Sequence, residues 1–203
     1  MSASVDTDDL PFGVGAVAGV VAWLLGYVVT YLIAATDLEN SALNRIVEGF
    51  EGQSATYELV GWVFYNAHFV DITYENVGFF QPPPNFVGGE DGFTAALYLL
   101  PPALLIIAGL AISRYQGISD LSDGAVAGAL VTPGYLVLSI LGVFLFVVTV
   151  GDASGAPDLL PAVVVAGILY PVVFGAIGGA VGGQTAESAE PSQPSEPSER
   201  RGS

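Results

Sequence analysis

Cysteine and lysine are absent from this sequence, and histidine occurs once. Without cysteine there is no disulfide, no thiolate metal site, no cysteine nucleophile and no cysteine-linked lipid. Positive charge is scarce: four arginines face 20 acidic residues, for a formal net charge of −16. Charge of either sign is missing from four long apolar runs, at about 11–35, 93–112, 124–150 and 159–182. Each run can supply the roughly 20 apolar residues that a helix needs to cross a bilayer. Because these runs exclude charge, only 12% of the chain is charged, and mean hydropathy is +0.63. Average soluble domains carry about 25% charged residues.

These absences define the expected class. The fold is expected to be all-α: a polytopic membrane protein of four transmembrane helices over 11–183. An acidic cytoplasmic N-terminus (1–10) precedes it and a disordered cytoplasmic tail (184–203) follows. Asp6, Asp8 and Asp9 argue against a secretory signal peptide, which needs a positive n-region. The tail is dominated by Ser, Glu, Pro and Gln and has nothing apolar to bury. Acid excess without lysine suits a surface that works in molar salt, where screening shortens repulsion between carboxylates. The expected host is a halophilic archaeon.

Orientation rests on few arginines. Arg114 follows the second run, and Arg200 and Arg201 lie near the end of the sequence. Four spans place these three on one side, and the positive-inside rule makes that side cytoplasmic, with both termini. Arg45 falls in the long 36–92 loop, which is then extracytoplasmic and carries nine acids. A loop of that length is expected to have structure of its own. Leu43, Ile46, Val47 and Phe50 predict a short amphipathic helix over 39–50. Residues 54–70, rich in aromatics, read as a helix lying at or dipping into the membrane surface. A strand over 57–65 stays open as an alternative. Residues 81–85, with three consecutive prolines, predict extended chain, and 88–92 a flexible entry to the second span.

Small residues recur in the spans. Gly15-Ala16-Val17-Ala18-Gly19 opens the first, and Gly124-Ala125-Val126-Ala127-Gly128 the third. Leu99-Leu100-Pro101-Pro102-Ala103 in the second echoes Leu159-Leu160-Pro161-Ala162 in the fourth. The pattern suggests two parallel helical-hairpin repeats, an arrangement found in transporters. Gly15, Gly19, Ala22 and Gly26 form one small-residue stripe, and Gly175 and Gly179 begin another. With Gly124 and Gly128 these are the expected helix-packing positions, within the monomer first and at a dimer seam second. Pro101, Pro102, Pro133 and Pro171 are the expected kinks.

Chemistry finds few candidates. No Lys, Arg, Asp, Glu or His lies inside the runs, which counts against proton-coupled pumping, voltage sensing and intramembrane carboxylate catalysis. Neither HExxH, GxSxG nor a glycine-rich phosphate loop with its lysine is present. Asn66, His68 and Asp71 are the candidate polar cluster at the outer surface, with a hydrogen-bonded structural role favoured for the histidine. One histidine among scattered carboxylates is a poor metal site. No metal and no cofactor are expected, nor is nucleic acid a partner. The expected partners are the bilayer itself and other membrane subunits or a second copy.

The acidic four-span layout, the GAVAG openings and Gly61-Trp62-Val63-Phe64-Tyr65-Asn66-Ala67-His68-Phe69 resemble a group of small haloarchaeal membrane proteins. These carry a domain of unknown function and are sometimes labelled transporter-like. The resemblance covers about residues 10–183 and implies four spans, with no activity to carry over. The favoured expectation is a non-enzymatic component of the envelope or of a membrane complex. The alternative is a small transporter or channel for a neutral solute. A water-accessible cavity lined by Thr132, Ser139 and Tyr170 would favour transport. A solid core would favour the structural role, and an enzyme would need a polar pocket joining His68 to Asp71 or Glu75.

Overall fold

The computed structural model describes residues 12–78, 82–89 and 92–187. Residues 1–11 and 188–203, which hold all of the acidic N-terminus and most of the tail, lie outside the described residues, as do 79–81 and 90–91. Four helical segments are long and apolar enough to cross a membrane: Phe12–Glu39, Ala95–Tyr115, Leu121–Leu145 and Leu159–Thr185. The first is the single helix α1 (Phe12–Glu39), which continues past the uncharged run through Asp37 and Glu39. The fourth also outruns its expected end at 182, because the helix holds Gln184 and reaches Glu187.

Proline and β-branched residues divide the other spans. The second starts as a 3-10 turn (Ala95–Leu99) and becomes α4 at Leu100–Tyr115. Pro101 and Pro102 sit in the first turn of α4, where a missing N–H costs nothing, so they mark a start and not a kink. The third span is two helices, α5 (Leu121–Ala129) and α6 (Thr132–Leu145), with Pro133 in the first turn of α6. The Thr132 hydroxyl donates to the Ala129 carbonyl across the break (2.7 Å). The fourth opens with α7 (Leu159–Pro161), widens to a π-helix over Ala162–Leu169, and ends as α8 (Tyr170–Glu187). Pro171 lies directly after the wide segment, where its absent N–H loosens the helical ladder.

Two expectations need correction. The third span was expected to reach residue 150, yet Val148–Val150 leave the helix as strand β2. Val-Thr-Val is a poor helix end and a good strand. The fold is also not purely helical. Strands β1 (Ile72–Glu75), β2 and β3 (Ala153–Pro157) form an antiparallel sheet in the order β1-β3-β2. Gly151, at φ 58°, makes the tight turn between β2 and β3. Ile72 pairs with Pro157 and Tyr74 with Gly155, so the sheet joins the 36–92 loop to the connection between the third and fourth spans. Within that loop, α2 (Ala42–Glu51) is capped by Ser41 and α3 (Thr56–Asn66) follows. We call this the loop end of the bundle.

Glycine sets the approach of α4, α5 and α8. A Cβ on Gly179 would collide with the Gly124 carbonyl, and one on Gly128 with the Gly175 carbonyl. Gly178 likewise faces the Ile106 main chain, and Gly109 faces Gly175. Lipid gives little hydrophobic drive between helices, so this backbone-to-backbone contact maximises dispersion where side chains would hold the helices apart. In the first span, Gly15 faces Leu130, Gly19 faces Val131, and Gly26 faces the Phe64 ring. Ala22 is buried on the same stripe. The two GAVAG stretches therefore have different partners: the first lies against the third span, the second against the fourth.

Candidate functional site

The most heavily buried element is α3, which carries the polar residues singled out above. From Leu59 to His68 every residue is buried. A helix that is apolar all round belongs inside, and eleven residues are too few to cross a bilayer. It enters the bundle from the loop end and packs against α1 and α6. Non-helical backbone at its end is tolerated because protein surrounds it.

Two buried asparagines fix its ends. Asn44 on α2 accepts the Ala55 N–H (2.9 Å) and the Ser54 hydroxyl (3.1 Å), and donates to the Glu39 carbonyl (3.1 Å). One side chain thus ties the end of α1 and all of α2 to the start of α3. At the other end Asn66 donates to the carbonyls of Val70 (2.8 Å) and Pro84 (3.1 Å) and accepts the Phe86 N–H (2.8 Å). It closes the turn through Phe69, whose φ of 59° is rare for an aromatic residue.

Aromatic side chains lock the middle. Trp62 donates its indole N–H to the Phe146 carbonyl at the end of α6 (2.7 Å). Tyr65 donates to the Ser139 carbonyl. Trp23 meets the Phe64 ring edge-on at 5.1 Å, and Tyr27 stacks on Phe146 at 5.2 Å. Both are geometries that aromatic quadrupoles favour.

His68 is wholly buried at the deep end of α3. Its Nδ1 lies 2.8 Å from the Phe64 carbonyl, which can only accept, so Nδ1 carries a proton. Burial lowers the His68 pKa to about 4, so the ring is neutral and Nε2 accepts from the Tyr135 hydroxyl at 2.6 Å. Tyr170 flanks it at a centroid distance of 5.2 Å. No carboxylate makes a hydrogen bond to the ring.

The expected outer-surface cluster therefore does not form. Asn66 and His68 are both buried, facing different partners, while Asp71 is exposed and its carbonyl accepts the Asp158 N–H. Glu75 is exposed on β1, so His68 joins neither carboxylate in a pocket. The turn at Phe69 separates them: burial holds the histidine in, and charge keeps the acid out. Of Thr132, Ser139 and Tyr170, Ser139 is fully buried and Tyr170 nearly so. Among the described residues no group of three His, Asp or Glu side chains could hold a metal.

Asn44 is the functional-site residue that the sequence pattern missed. The only signal for it was an uncharged polar residue among the apolar positions of an amphipathic helix. Burial also raises the Tyr74 phenol well above its usual range, and its hydroxyl donates to the Pro83 carbonyl (2.8 Å).

The chain belongs to a family of unknown function (DUF7978), whose profile matches residues 1–186. No curated protein and no solved structure matches it.

Proposed function

We propose that this is a non-enzymatic integral membrane protein that acts as a component of an envelope or membrane complex. The observation that carries the reading is the filled interior. Where a solute path between the spans would run, α3 inserts Trp62, Phe64, Tyr65 and His68, each 2% exposed or less. Glycine contacts close the seam between α4, α5 and α8, and the space left between α1 and α4 is lined by apolar side chains alone. A body this solid suits a role in holding something in place. Its loop end, with α2 and the sheet, is the shaped surface outside the spans. We place that end outside the cell, with both termini in the cytoplasm, on the position of Arg114. The acid excess favours a halophilic archaeal host.

The second reading is a small transporter or channel for a neutral solute. It is favoured by the inserted half-helix together with the π-helical stretch over Ala162–Leu169 in the fourth span. Wide helical turns occur frequently at functional sites.

Native purification in high salt, with determination of complex mass, separates the two. The complex reading expects a stoichiometric partner. A lone monomer or homodimer that conducts a neutral solute across liposomes would replace it with the transport reading.

A further inference from the structure

A cavity of about 220 Å³ lies between α1 and α4, two helices from segments apolar enough to cross a membrane. Ala18 and Ala22 from α1 and Ala108 and Ala111 from α4 line it, and every lining residue is apolar. Beside Leu25 and Leu104 it stops where Leu104 and the Phe64 ring crowd Gly26. The other way it runs toward the end of the second span. Leu104, Ala108 and Ala111 recur at helical spacing, so Tyr115 stands next on the same line and Arg114 beside it. The helix rises roughly 10 Å from Leu104 to Ala111 and roughly 6 Å more to Tyr115. Arg114 and Tyr115 are both exposed.

Arg114 and Arg45 are the basic residues among the described residues. Arg114 donates to the Thr185 hydroxyl over a long 3.4 Å, and among the described residues no carboxylate pairs with it. The next acid along the chain, Asp120, is committed to capping α5, where it accepts the Ser122 and Asp123 N–H groups. A guanidinium carries five donors in a fork that fits phosphate.

An apolar groove in the wall of a membrane bundle fills with hydrocarbon, because a void forfeits the dispersion of the atoms that line it. A helix with its side chains is about 10–12 Å across, too wide for a space made by four alanines, whereas a single hydrocarbon chain enters it. We propose that the α1–α4 groove binds one anionic phospholipid, with a hydrocarbon chain against the four alanines and the phosphate on Arg114. Tyr115 stands at the headgroup level, where tyrosine is favoured. In a chain of net charge −16, Arg114 is where such a headgroup meets a counter-charge. The inference goes beyond the complex-component reading and does not depend on it: the ligand sits on the outer wall of the bundle.

The test places the full chain in nanodiscs of equimolar phosphatidylglycerol and phosphatidylcholine with matched chains, at fixed ionic strength. Lipids that stay on the chain are counted by native mass spectrometry. One lipid per chain is expected, with phosphatidylglycerol favoured about fivefold, the worth of one arginine near a membrane surface. Arg114→Gln should abolish that preference while a lipid is still retained. Ala111→Leu, at an exposed position, fills the groove and should remove both lipids. Ala18→Leu fills it from the opposite wall and serves if Ala111→Leu fails to fold. Phe144→Leu, exposed on α6, should change neither. Equal retention of the two lipids in wild type, a preference that survives Arg114→Gln, or retention untouched by either leucine overturns the proposal. So does a second copy cross-linked through Ala111→Cys, which gives the groove to the protein itself.

Discussion

Two halves of this bundle are held together in different ways. Around α4, α5 and α8 the helices touch through glycine, main chain on main chain. Around α3, the contacts with α1 and α6 run through large rings and a few buried hydrogen bonds, although α1 and α6 also meet each other through Gly19 and Gly134. The glycine seam is built wholly from segments that are apolar enough to cross a membrane, and gains dispersion by close approach. The aromatic half must accommodate a helix from a loop, whose buried polar groups need partners. One half is specified by the absence of side chains alone; the other adds the shapes and donors of the side chains around α3.

The difference predicts unequal sensitivity to substitution. The largest effect is expected at the seam. Gly179→Leu places a side chain on the Gly124 carbonyl, with no flexible neighbour to yield. It should prevent recovery of folded protein, whereas Gly179→Ala should cost about 1–3 kcal/mol, read by thermal denaturation in detergent. In the aromatic half, Trp62→Ala should cost about 3–5 kcal/mol through the cavity and the lost bond to Phe146. An aromatic half as insensitive as the surface would break the comparison.

Smaller effects sharpen it. His68→Leu leaves the Tyr135 hydroxyl buried without its partner and should cost about 1–3 kcal/mol. Adding Tyr135→Phe should recover part of that loss in a double-mutant cycle, and strict additivity of the two would refute the coupling. Gly49→Ala, in a position open on all sides of α2, should stabilise by about 0.5–1 kcal/mol through helix propensity. Ser139→Ala should be smallest, within about 0.5 kcal/mol, because the Ser139 hydroxyl is buried without a partner and its loss strands nothing.

The two halves also differed in how openly the sequence declared them. Uncharged runs located the four spans, and glycine spacing marked the residues at which they come together. The insertion of α3 was harder to read. Eleven residues with Glu58 in the first turn and Asp71 shortly after the end look like a surface helix, although the unbroken apolar character from Leu59 to Phe64 is the mark of a buried one. The sheet was not legible at all. Its central pairing joins Ile72 to Pro157 across 85 residues, and no local pattern encodes a partner that distant. The grouping of Asn66, His68 and Asp71 relied on nearness in sequence, and one left-handed residue, Phe69, undoes it. Asn44 escaped because its value lies in three main-chain and side-chain partners that only the fold assembles.

The central claim is that the buried side chains of α3 fill the bundle. The absence of native cysteine permits a direct measurement: single cysteines at Val63, Ala67 and Glu75, treated in native membranes with a membrane-impermeant maleimide. Val63 and Ala67 are fully buried and Glu75 is exposed, so the account predicts labelling of Glu75→Cys alone. Rapid labelling of Ala67→Cys from the aqueous phase would place water beside His68 and contradict the filled interior.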